Sequence, residues 1–502
     1  MTIVISILLV INLLLLLNFY MHMFQLNSYF FKKYLFWIKG NIKKVFIRNS
    51  LALLSLIILF NNDIVNIISI TILICSIIIN IPKSKAKIPL KYTSRVIRMI
   101  FTELVIGAII YIIWPNIITL IILNIVCIFL CVLANTINYP IEYLVRKYYI
   151  NDAEKILNNM PNLIVIGITG SYGKTGVKNY LSKTLGVKYN VLATPKNYNT
   201  TMGVVKTIRE ELKPIHEIFI CEMGATKLGD IKEICDIVKP KFGVITSIGP
   251  QHMQSFKTID NVIRTKFELY DAVKNNNGIT FLNFDNEYIA KQNKDHIITY
   301  GIDNKKLDYN AYNLVSSQNG LEFTIKDVQF KTKLIGKHNV ENLAAAIAVA
   351  NHLGVPIEKL VPKIREINSV EHRLELISRD GFNIIDDSYN SNPVSSKSAL
   401  DTLNEFEGTK IIVTPGLIEL GDKEEEYNKE FGEYMTDICD YIFIVNSTVS
   451  KYILEGINIK KYNKDRLFIV NSPGEAIKKI SNMNLNSGTI LLENDLPDNY
   501  NL

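Results

Sequence analysis

The stretch Gly167-Ile-Thr-Gly-Ser-Tyr-Gly-Lys-Thr175 begins inside the apolar run Leu163–Ile168 and leads into a helical pattern over Gly176–Leu185. A strand, a glycine-rich turn and a helix in this order place backbone N–H groups and a helix dipole around an anion. The lysine of such a turn can neutralise nucleotide phosphates, and the following hydroxyl can ligate Mg²⁺. The stretch therefore predicts a nucleotide phosphate site formed by Gly170, Ser171, Gly173, Lys174 and Thr175.

The spacing of this loop departs from the standard P-loop, because Ile168 stands where a glycine is usual. A GTPase or the ATPase of a transporter would begin with a similar loop. A transporter ATPase also needs a second signature of the Leu-Ser-Gly-Gly-Gln kind, and the sequence has none. The loop thus indicates nucleotide binding and leaves the reaction open.

Around the loop, short apolar runs alternate with amphipathic, charged segments. This alternation is typical of an α/β fold with a parallel sheet and crossover helices. A break near Ile367–Val370 divides this part into a central domain, 141–368, and a C-terminal domain, 369–502. The predicted strands are Leu163–Ile168, Glu217–Cys221, Phe242–Ser247, Asn383–Asp386, Lys410–Thr414 and Tyr441–Val445.

Two potential metal ligands follow predicted strands of the central domain. Glu222 ends the strand Glu217–Cys221, and His252 follows Phe242–Ser247. Ligands of parallel sheets bind at the carboxyl ends of the strands. An isolated acid or histidine is more often structural, but beside a phosphate loop both are candidates for holding Mg²⁺.

Residues 1–140 have the composition of a membrane region. Hydrophobic residues make up 48% of the 502-residue chain, and helices need about 20 residues to cross a bilayer. The six cysteines show neither zinc-finger spacing nor a disulfide framework. Five apolar runs precede Tyr139: Thr2–Leu17, Leu51–Phe60, Ile64–Ile81, Ile100–Trp114 and Ile117–Ile137.

The formal charge of +7 is concentrated beside these runs, which argues against nucleic acid as a partner. Twelve Lys and Arg lie in Lys32–Arg48 and Lys83–Arg98, and Asp63 is the only acid before Arg98. Basic loops face the cytoplasm. We therefore predict a multi-pass protein of the cell membrane with five crossings, or four if the short second run does not span, and cytoplasmic catalytic domains.

The loop and a series of later motifs resemble the Mur ligases, the amide-bond ligases of cell-wall synthesis. Within the family the motifs are most similar to members that add D-alanyl-D-alanine to a muropeptide. Beyond the phosphate loop, the matching pieces occur in family order: Asn197-Tyr-Asn-Thr-Thr-Met-Gly203, Cys221-Glu-Met-Gly-Ala225, Thr246-Ser-Ile-Gly-Pro-Gln-His252, Lys266-Phe-Glu268, Gly336-Lys-His-Asn-Val-Glu-Asn342, Arg373, Asp386-Asp-Ser-Tyr-Asn-Ser-Asn-Pro393 and Gly416-Leu-Ile-Glu-Leu-Gly421.

The resemblance implies roles for individual residues. It implies that Thr175, Glu222 and His252 bind the magnesium ion and that a carbamylated Lys266 helps to hold it. Nucleotide binding involves Asn339, Arg373 and Asp387 besides the phosphate loop, and the substrate contacts fall to Asn197, Asn199 and Asn390. The residues implied to be catalytic are Lys174, Lys266, His252 and Arg373.

The implied reaction is an ATP- and Mg²⁺-dependent ligation. A muropeptide or other carboxylate attacks the γ-phosphate of ATP to give an acyl phosphate, and the amine acceptor then attacks that intermediate. We expect a P-loop central domain and a Rossmann-like C-terminal domain, which close over ATP, preceded by the transmembrane helices.

One departure from the family concerns substrate binding. Family members begin with a domain that binds uridine, whereas here Asn151–Pro161 leads from the membrane region to the phosphate loop. The substrate is then either the soluble nucleotide precursor or a lipid-linked, membrane-bound carboxylate, with membrane lipid as a partner. A nucleotide-regulated transport protein and an inactive scaffold are the alternatives from other classes.

Overall fold

The computed structural model describes residues 2–54, 63–81, 89–196, 198–251, 253–379, 381–389, 391–483, 485 and 487–495. The described chain forms two compact units, one from Met1–Lys147 and one from Tyr148–Asp495. The first unit is helical and the second is built around two β-sheets.

Apolar helices build the first unit. Among the described residues, four helices are long and apolar enough to cross a membrane: Ile3–Leu26, Asp63–Asn80, Ser94–Ile113 and Ile117–Asn158. The second predicted run, Leu51–Phe60, falls outside the described residues after Leu54, so the choice between four and five crossings stays a prediction. The helices are α1 (Thr2–Leu26), α2 (Phe31–Gly40), α3 (Ile42–Leu54), α4 (Asp63–Asn80), α5 (Ser94–Ile113) and α6 (Ile117–Asn158).

Buried polar contacts give the relative directions of three helices. Asn12 of α1 accepts a hydrogen bond from Ser76 of α4 at 3.0 Å and donates one to Asn124 of α6 at 2.9 Å. Residues about one turn earlier on each of these helices share one hydrophobic cluster. They are Leu9 of α1, Leu73 of α4 and Leu120 of α6. Helices α1, α4 and α6 therefore run in the same direction.

Helix α5 runs against α6. Asn138 of α6 donates to Thr102 at 2.8 Å, and Glu142, one turn later on α6, pairs with Arg98, one turn earlier on α5, at 2.7 Å. The first unit thus contains parallel and antiparallel helices.

The second unit begins with a nine-stranded sheet. Its order is β2-β3-β1-β4-β5-β6-β7-β8-β9, parallel from β2 to β7 and antiparallel from β7 to β9. The strands are β1 (Ile164–Thr169), β2 (Val191–Ala193), β3 (Ile218–Glu222), β4 (Phe242–Ile245), β5 (Ile279–Asn283), β6 (Ile297–Ile302), β7 (Tyr309–Ser317), β8 (Gly320–Ile325) and β9 (Val328–Thr332).

Helices cover both faces of this sheet. The helices are α7 (Lys174–Leu185), α8 (Thr201–Glu210), α9 (Asp230–Val238), α10 (Met253–Phe256), α11 (Ile259–Asn275), α12 (Glu287–Ala290), α13 (His338–His352) and α14 (Ile357–Arg365). Helix α13 is buried through its alanine run Ala344–Ala350 and packs with α7 in the core of one face, while α9 and α11 pack on the other. Small side chains let α13 approach the sheet closely.

The C-terminal sheet has six strands in the order β10-β11-β15-β12-β13-β14. All neighbours are parallel except β10 and β11. Its elements are β10 (Glu375–Arg379), β11 (Phe382–Asp387), α15 (Pro393–Asn404), β12 (Thr409–Thr414), α16 (Glu424–Ile438), β13 (Tyr441–Val445), α17 (Ser450–Ile459), β14 (Leu467–Val470), α18 (Pro473–Ser481) and β15 (Gly488–Glu493).

The six predicted strands are present, with ends shifted by at most two residues. The predicted parallel sheet is present from β2 to β7, and β8 and β9 add antiparallel strands to its edge. These strands alternate buried and exposed residues. Such alternation suits an antiparallel edge that is open to solvent on one face.

Candidate active site

The phosphate loop lies at the carboxyl edge of the central sheet. Strand β1 runs parallel to β3 on one side and to β4 on the other. Glu222 at the end of β3 and Thr246 after β4 therefore flank the loop that follows β1. The site occupies the edge at which parallel sheets bind their ligands.

Glycine is required at two positions of the loop. Gly170 has a φ of +154°, and a Cβ there would lie 2.0 Å from Thr246 Oγ1. Gly173 has a φ of +82° and precedes the first residue of α7. A side chain at Gly173 would lie 2.7 Å from Asn342 Oδ1. The backbone therefore turns tightly into the N-terminus of α7, a geometry suited to phosphate.

The Lys174 ammonium lies over this turn. Its Nζ donates to the carbonyl of Gly170 at 2.6 Å and to that of Ser171 at 2.9 Å. The pKa of Lys174 is lowered to about 8. Burial is the main cause, the charge of Glu222 acts to raise this pKa, and the charge of Arg373 acts to lower it. Ser171 is held separately, since its hydroxyl donates to the carbonyl of Gly249 at 3.1 Å. Lys174 can pair with a phosphate bound in the loop.

Glu222 is the buried carboxylate of the site. Its Oε1 accepts hydrogen bonds from Thr175 Oγ1 at 3.1 Å and Asn199 Nδ2 at 3.0 Å, and its Oε2 pairs with Lys178 Nζ at 3.0 Å. Burial alone would raise the pKa of Glu222, but Lys178 and Lys174 outweigh it and hold that pKa below its usual value. A carboxylate and a hydroxyl oxygen fit Mg²⁺, which prefers hard oxygen ligands.

Lys178 is a site residue that the sequence did not single out. It lies one turn after Lys174 on α7, and its side chain is 3% exposed. Spacing of four residues on a helix that starts in a phosphate loop places both ammonium groups on one face. That spacing is the signal from which Lys178 could have been found.

Lys266 is fully buried in α11, at 2% exposure. Burial lowers the pKa of Lys266 far below its usual range, and the charge of Lys174 lowers it further, while Asp230 and Glu268 act in the opposite direction. The position is therefore not that of a surface lysine. A neutral amine is the form that reacts with CO₂, so the environment suits the predicted carbamate.

The two asparagines of the motif before α13's alanine run have different surroundings. Asn339 Oδ1 accepts from Tyr180 Oη at 2.8 Å, and its Nδ2 donates to the Ile335 carbonyl at 2.8 Å. Asn342 lies directly against the phosphate loop at Gly173. The candidate nucleotide residue Asn339 thus also joins α13 to α7, and Asn342 is an additional residue at the loop.

Arg373 precedes β10 and Asp387 ends β11 of the C-terminal sheet. Arg373 influences the pKa of Lys174, which places its charge near the phosphate loop. The guanidinium stacks 4.4 Å from the centroid of the Tyr389 ring. Asp387 accepts from the Leu374 backbone N–H at 3.2 Å, and burial raises the pKa of Asp387 to about 6. The two residues remain candidates for nucleotide binding.

Three candidate residues, His252, Asn197 and Asn390, lie outside the described residues, and their roles stay predictions. Asn199 was a candidate for substrate binding. Its described contacts are instead with the buried carboxylate of Glu222 and with Gly224, whose N–H donates to the Asn199 carbonyl at 2.7 Å. Its role toward a substrate also stays a prediction.

Two family models match the chain. The Mur ligase middle domain matches residues 168–350, and the Mur ligase, glutamate ligase domain matches residues 372–492. These matches cover both sheets of the second unit.

Curated relatives of the chain include proteins named UDP-N-acetylmuramoyl-tripeptide--D-alanyl-D-alanine ligase. The Bacillus subtilis (strain 168) protein is 33% identical over 309 residues, which is 60% of this chain and 66% of that protein. The Buchnera aphidicola subsp. Baizongia pistaciae (strain Bp) protein is 31% identical over 326 residues, 62% of this chain and 69% of that protein. The chain thus spans about two thirds of the length of these relatives.

Solved structures agree with the sequence matches. MurF from Acinetobacter baumannii superposes with a TM-score of 0.63 at 26% identity, covering 70% of this chain and 77% of that one. MurF ligase from Thermotoga maritima in complex with ADP has a TM-score of 0.62 at 25% identity, covering 70% and 80%. Together with the two domain matches and the arrangement of Lys174, Thr175 and Glu222, these similarities show that the chain belongs to the Mur ligase family.

Proposed function

We propose that the protein is an ATP- and Mg²⁺-dependent ligase of peptidoglycan precursor synthesis. It joins D-alanyl-D-alanine, or another amine, to the carboxylate of a muropeptide through an acyl phosphate. The observation that carries the proposal is the placement of Lys174, Thr175 and Glu222 around one phosphate turn, with the Arg373 charge nearby. The names of the relatives support the substrate class.

In this reaction each residue has a defined task. Lys174 and Arg373 bind the phosphoryl group and stabilise its negative charge during transfer. Thr175 and Glu222 would hold Mg²⁺ with His252, and the metal would supply charge neutralisation at the phosphates. Lys266, as a carbamate, would add a further anionic oxygen donor. The fold itself lowers the barrier by holding the carboxylate and phosphate in reacting positions.

We propose three domains: a membrane region, 1–140, a central domain, 141–368, and a C-terminal domain, 369–502. The two sheets and the two family matches support the last boundary. The first boundary is proposed at residue 140, and the two compact units divide a few residues later, after Lys147.

The helical unit favours a multi-pass membrane protein with cytoplasmic catalytic domains. Helices α1 and α4 run in the same direction, so if both span, the chain must cross back between them. The apolar run Leu51–Phe60 is the segment that we expect to make this return. A five-crossing arrangement puts both basic stretches, Lys32–Arg48 and Lys83–Arg98, on the cytoplasmic side.

The position of the helices favours a lipid-linked muropeptide as the substrate. Helix α6 ends at Asn158 and β1 begins at Ile164, which leaves no room for a substrate-binding domain between them. Contacts of the helices with a lipid carrier would take the place of such a domain. The soluble nucleotide-linked muropeptide is the competing substrate.

Mass spectrometry of the ligation product tests the proposal. The purified full-length protein is incubated with ATP, Mg²⁺, D-alanyl-D-alanine and either a nucleotide-linked or a lipid-linked muropeptide. We expect an amide product and ADP, formed faster from the lipid-linked substrate. The Lys174→Ala variant, still folded, is the matched control and should form no product. Absence of an amide with both substrates would refute the ligase assignment.

A further inference from the structure

The Lys178 ammonium connects three parts of the active site. It extends from α7, pairs with Glu222 Oε2 at the end of β3 at 3.0 Å, and donates to the carbonyl of Lys196 at 2.7 Å. Lys196 has a φ of +45° and begins the turn that carries Asn199. One buried charge therefore ties the helix of the phosphate loop to the metal carboxylate and to the asparagine turn.

The contacts of Lys178 differ from those of Lys174. Lys174 lies on the carbonyls of the phosphate loop, where a phosphate would bind. Lys178 lies behind the carboxylate, with its side chain 3% exposed and its described contacts on Glu222 and Lys196. An ammonium in this position acts on the carboxylate.

The two oxygens of Glu222 are consequently different. Oε2 forms an ion pair with the Lys178 ammonium at 3.0 Å and accepts no hydrogen bond among the described residues, whereas Oε1 accepts hydrogen bonds from the hydroxyl of Thr175 and the amide of Asn199. Neutral hydrogen-bond partners can rearrange around a cation more easily than a buried ion pair can separate, because separating the pair leaves a buried charge uncompensated. Oε1 is therefore the oxygen available to a metal ion.

We propose that Lys178 is the positioning residue of the metal site. By fixing Glu222 Oε2 it presents Oε1 beside Thr175, and it thereby sets the affinity for the divalent cation in the nucleotide complex. The proposal rests on the proposed function, because it concerns the same ATP site. Partners behind a metal ligand typically change metal affinity about 10–100-fold when they are removed.

A double-mutant cycle on the full-length protein tests this role, with Mn²⁺ as a paramagnetic probe and ADP as the nucleotide. The Kd for Mn²⁺ in the ADP complex is measured by EPR for the wild type, Lys178→Met, Glu222→Gln and the double variant. Lys183→Met, which changes an exposed lysine of the same helix, is the control. ADP affinity without metal is measured in parallel.

We expect Lys178→Met to weaken Mn²⁺ binding at least about tenfold and to change ADP affinity without metal by less than about threefold. In the Glu222→Gln background the same substitution should have almost no further effect, because coupled residues are non-additive. Lys183→Met should bind Mn²⁺ as the wild type does. Lys178→Gln, which removes the charge but can keep the bond to the Lys196 carbonyl, should reproduce Lys178→Met if the latter unfolds.

The proposal would be overturned if the Lys178 substitution weakened Mn²⁺ binding equally in the wild type and in Glu222→Gln. It would also be overturned if Lys178→Met weakened ADP binding without metal as much as it weakened Mn²⁺ binding. Normal Mn²⁺ binding by folded Lys178→Met would also overturn it. Failure of the proposed function is distinguishable, since the wild type would then bind Mn²⁺ and ADP but form no amide.

Discussion

The hydroxyl of Thr175 donates a hydrogen bond to Glu222 Oε1 across 3.1 Å, joining the first turn of α7 to the end of β3. A hydroxyl and a carboxylate oxygen at this separation can bind the same small cation after a modest shift. The hydrogen bond also connects the phosphate turn to the neighbouring strand.

Removing the Thr175 hydroxyl should lower metal-dependent activity. We expect Thr175→Val to reduce amide formation at least about tenfold, because removing even a partner behind a metal ligand costs about 10–100-fold. Thr175→Ser keeps the oxygen and should retain activity within a few-fold. Initial rates at saturating ATP measure the difference, and a fully active Thr175→Val would exclude Thr175 from the metal site.

Nucleotide binding should weaken at alkaline pH because of Lys174. The ammonium form binds phosphate, and the pKa of Lys174 in the free protein is about 8. Phosphate binding raises this pKa. The affinity for ADP is therefore highest below about pH 8, and it falls as the pH rises above that value, by up to about tenfold per pH unit. Calorimetric titration with ADP in metal-free buffer measures the effect.

The control for this pH dependence is Lys174→Met, which should bind ADP weakly at every pH and show no loss centred near pH 8. An unchanged ADP affinity of the wild type well above this pH would contradict the prediction. ADP itself is fully ionised throughout this range, so its own titration does not contribute.

Lys266 should carry a carbamate. Burial lowers the pKa of its amine well below the usual value, which favours the neutral form that reacts with CO₂, so ¹³CO₂ should give a carbamate resonance that Lys266→Ala lacks. The variant should be inactive and partly rescued by short carboxylic acids. Lys274→Ala, on the same helix but half-exposed, should keep the resonance. Wild-type activity of Lys266→Ala would show that the amine is dispensable.

Reporter fusions should place the catalytic domains in the cytoplasm. Twelve Lys and Arg flank the apolar runs, and each contributes about 1 kcal/mol near an anionic leaflet. Reporters after Tyr139 should read as internal, and reporters at Asn61–Asp63 and Trp114–Asn116 as external. An external signal after Tyr139 would reverse the topology and separate the active site from cytoplasmic ATP.

A truncated chain beginning at Tyr148 should bind ADP but lose most activity on a lipid-linked muropeptide. Its hydrophobic cores consist of residues from Tyr149 onward, so the phosphate loop and both sheets should fold. ADP affinity and product formation are compared with the full-length protein. Equal rates for both proteins on a nucleotide-linked muropeptide would show that the helices serve as an anchor, and the lipid-linked substrate would be abandoned.

Much of the fold follows from local sequence patterns. Each predicted strand is a short apolar run, and such a run depends only on neighbouring residues. The sequence therefore predicts the ends of strands β1, β3, β4, β11, β12 and β13 to within two residues. The hairpins formed by β7, β8 and β9 were missed because β8 and β9 alternate apolar and polar residues and form no continuous apolar run. A register shift between Tyr312 and Val315 also interrupts the pairing of β7 with β8.

The sequence by itself determined the phosphate turn, the helix that follows it and the alternation of strands and helices, since these depend on residues within a few positions of one another. Only the tertiary structure decided that Lys178 pairs with Glu222, that Asn199 reaches the same carboxylate, and that Lys266 is buried. These contacts join segments tens of residues apart. They depend on strand order and helix packing, which no local pattern encodes.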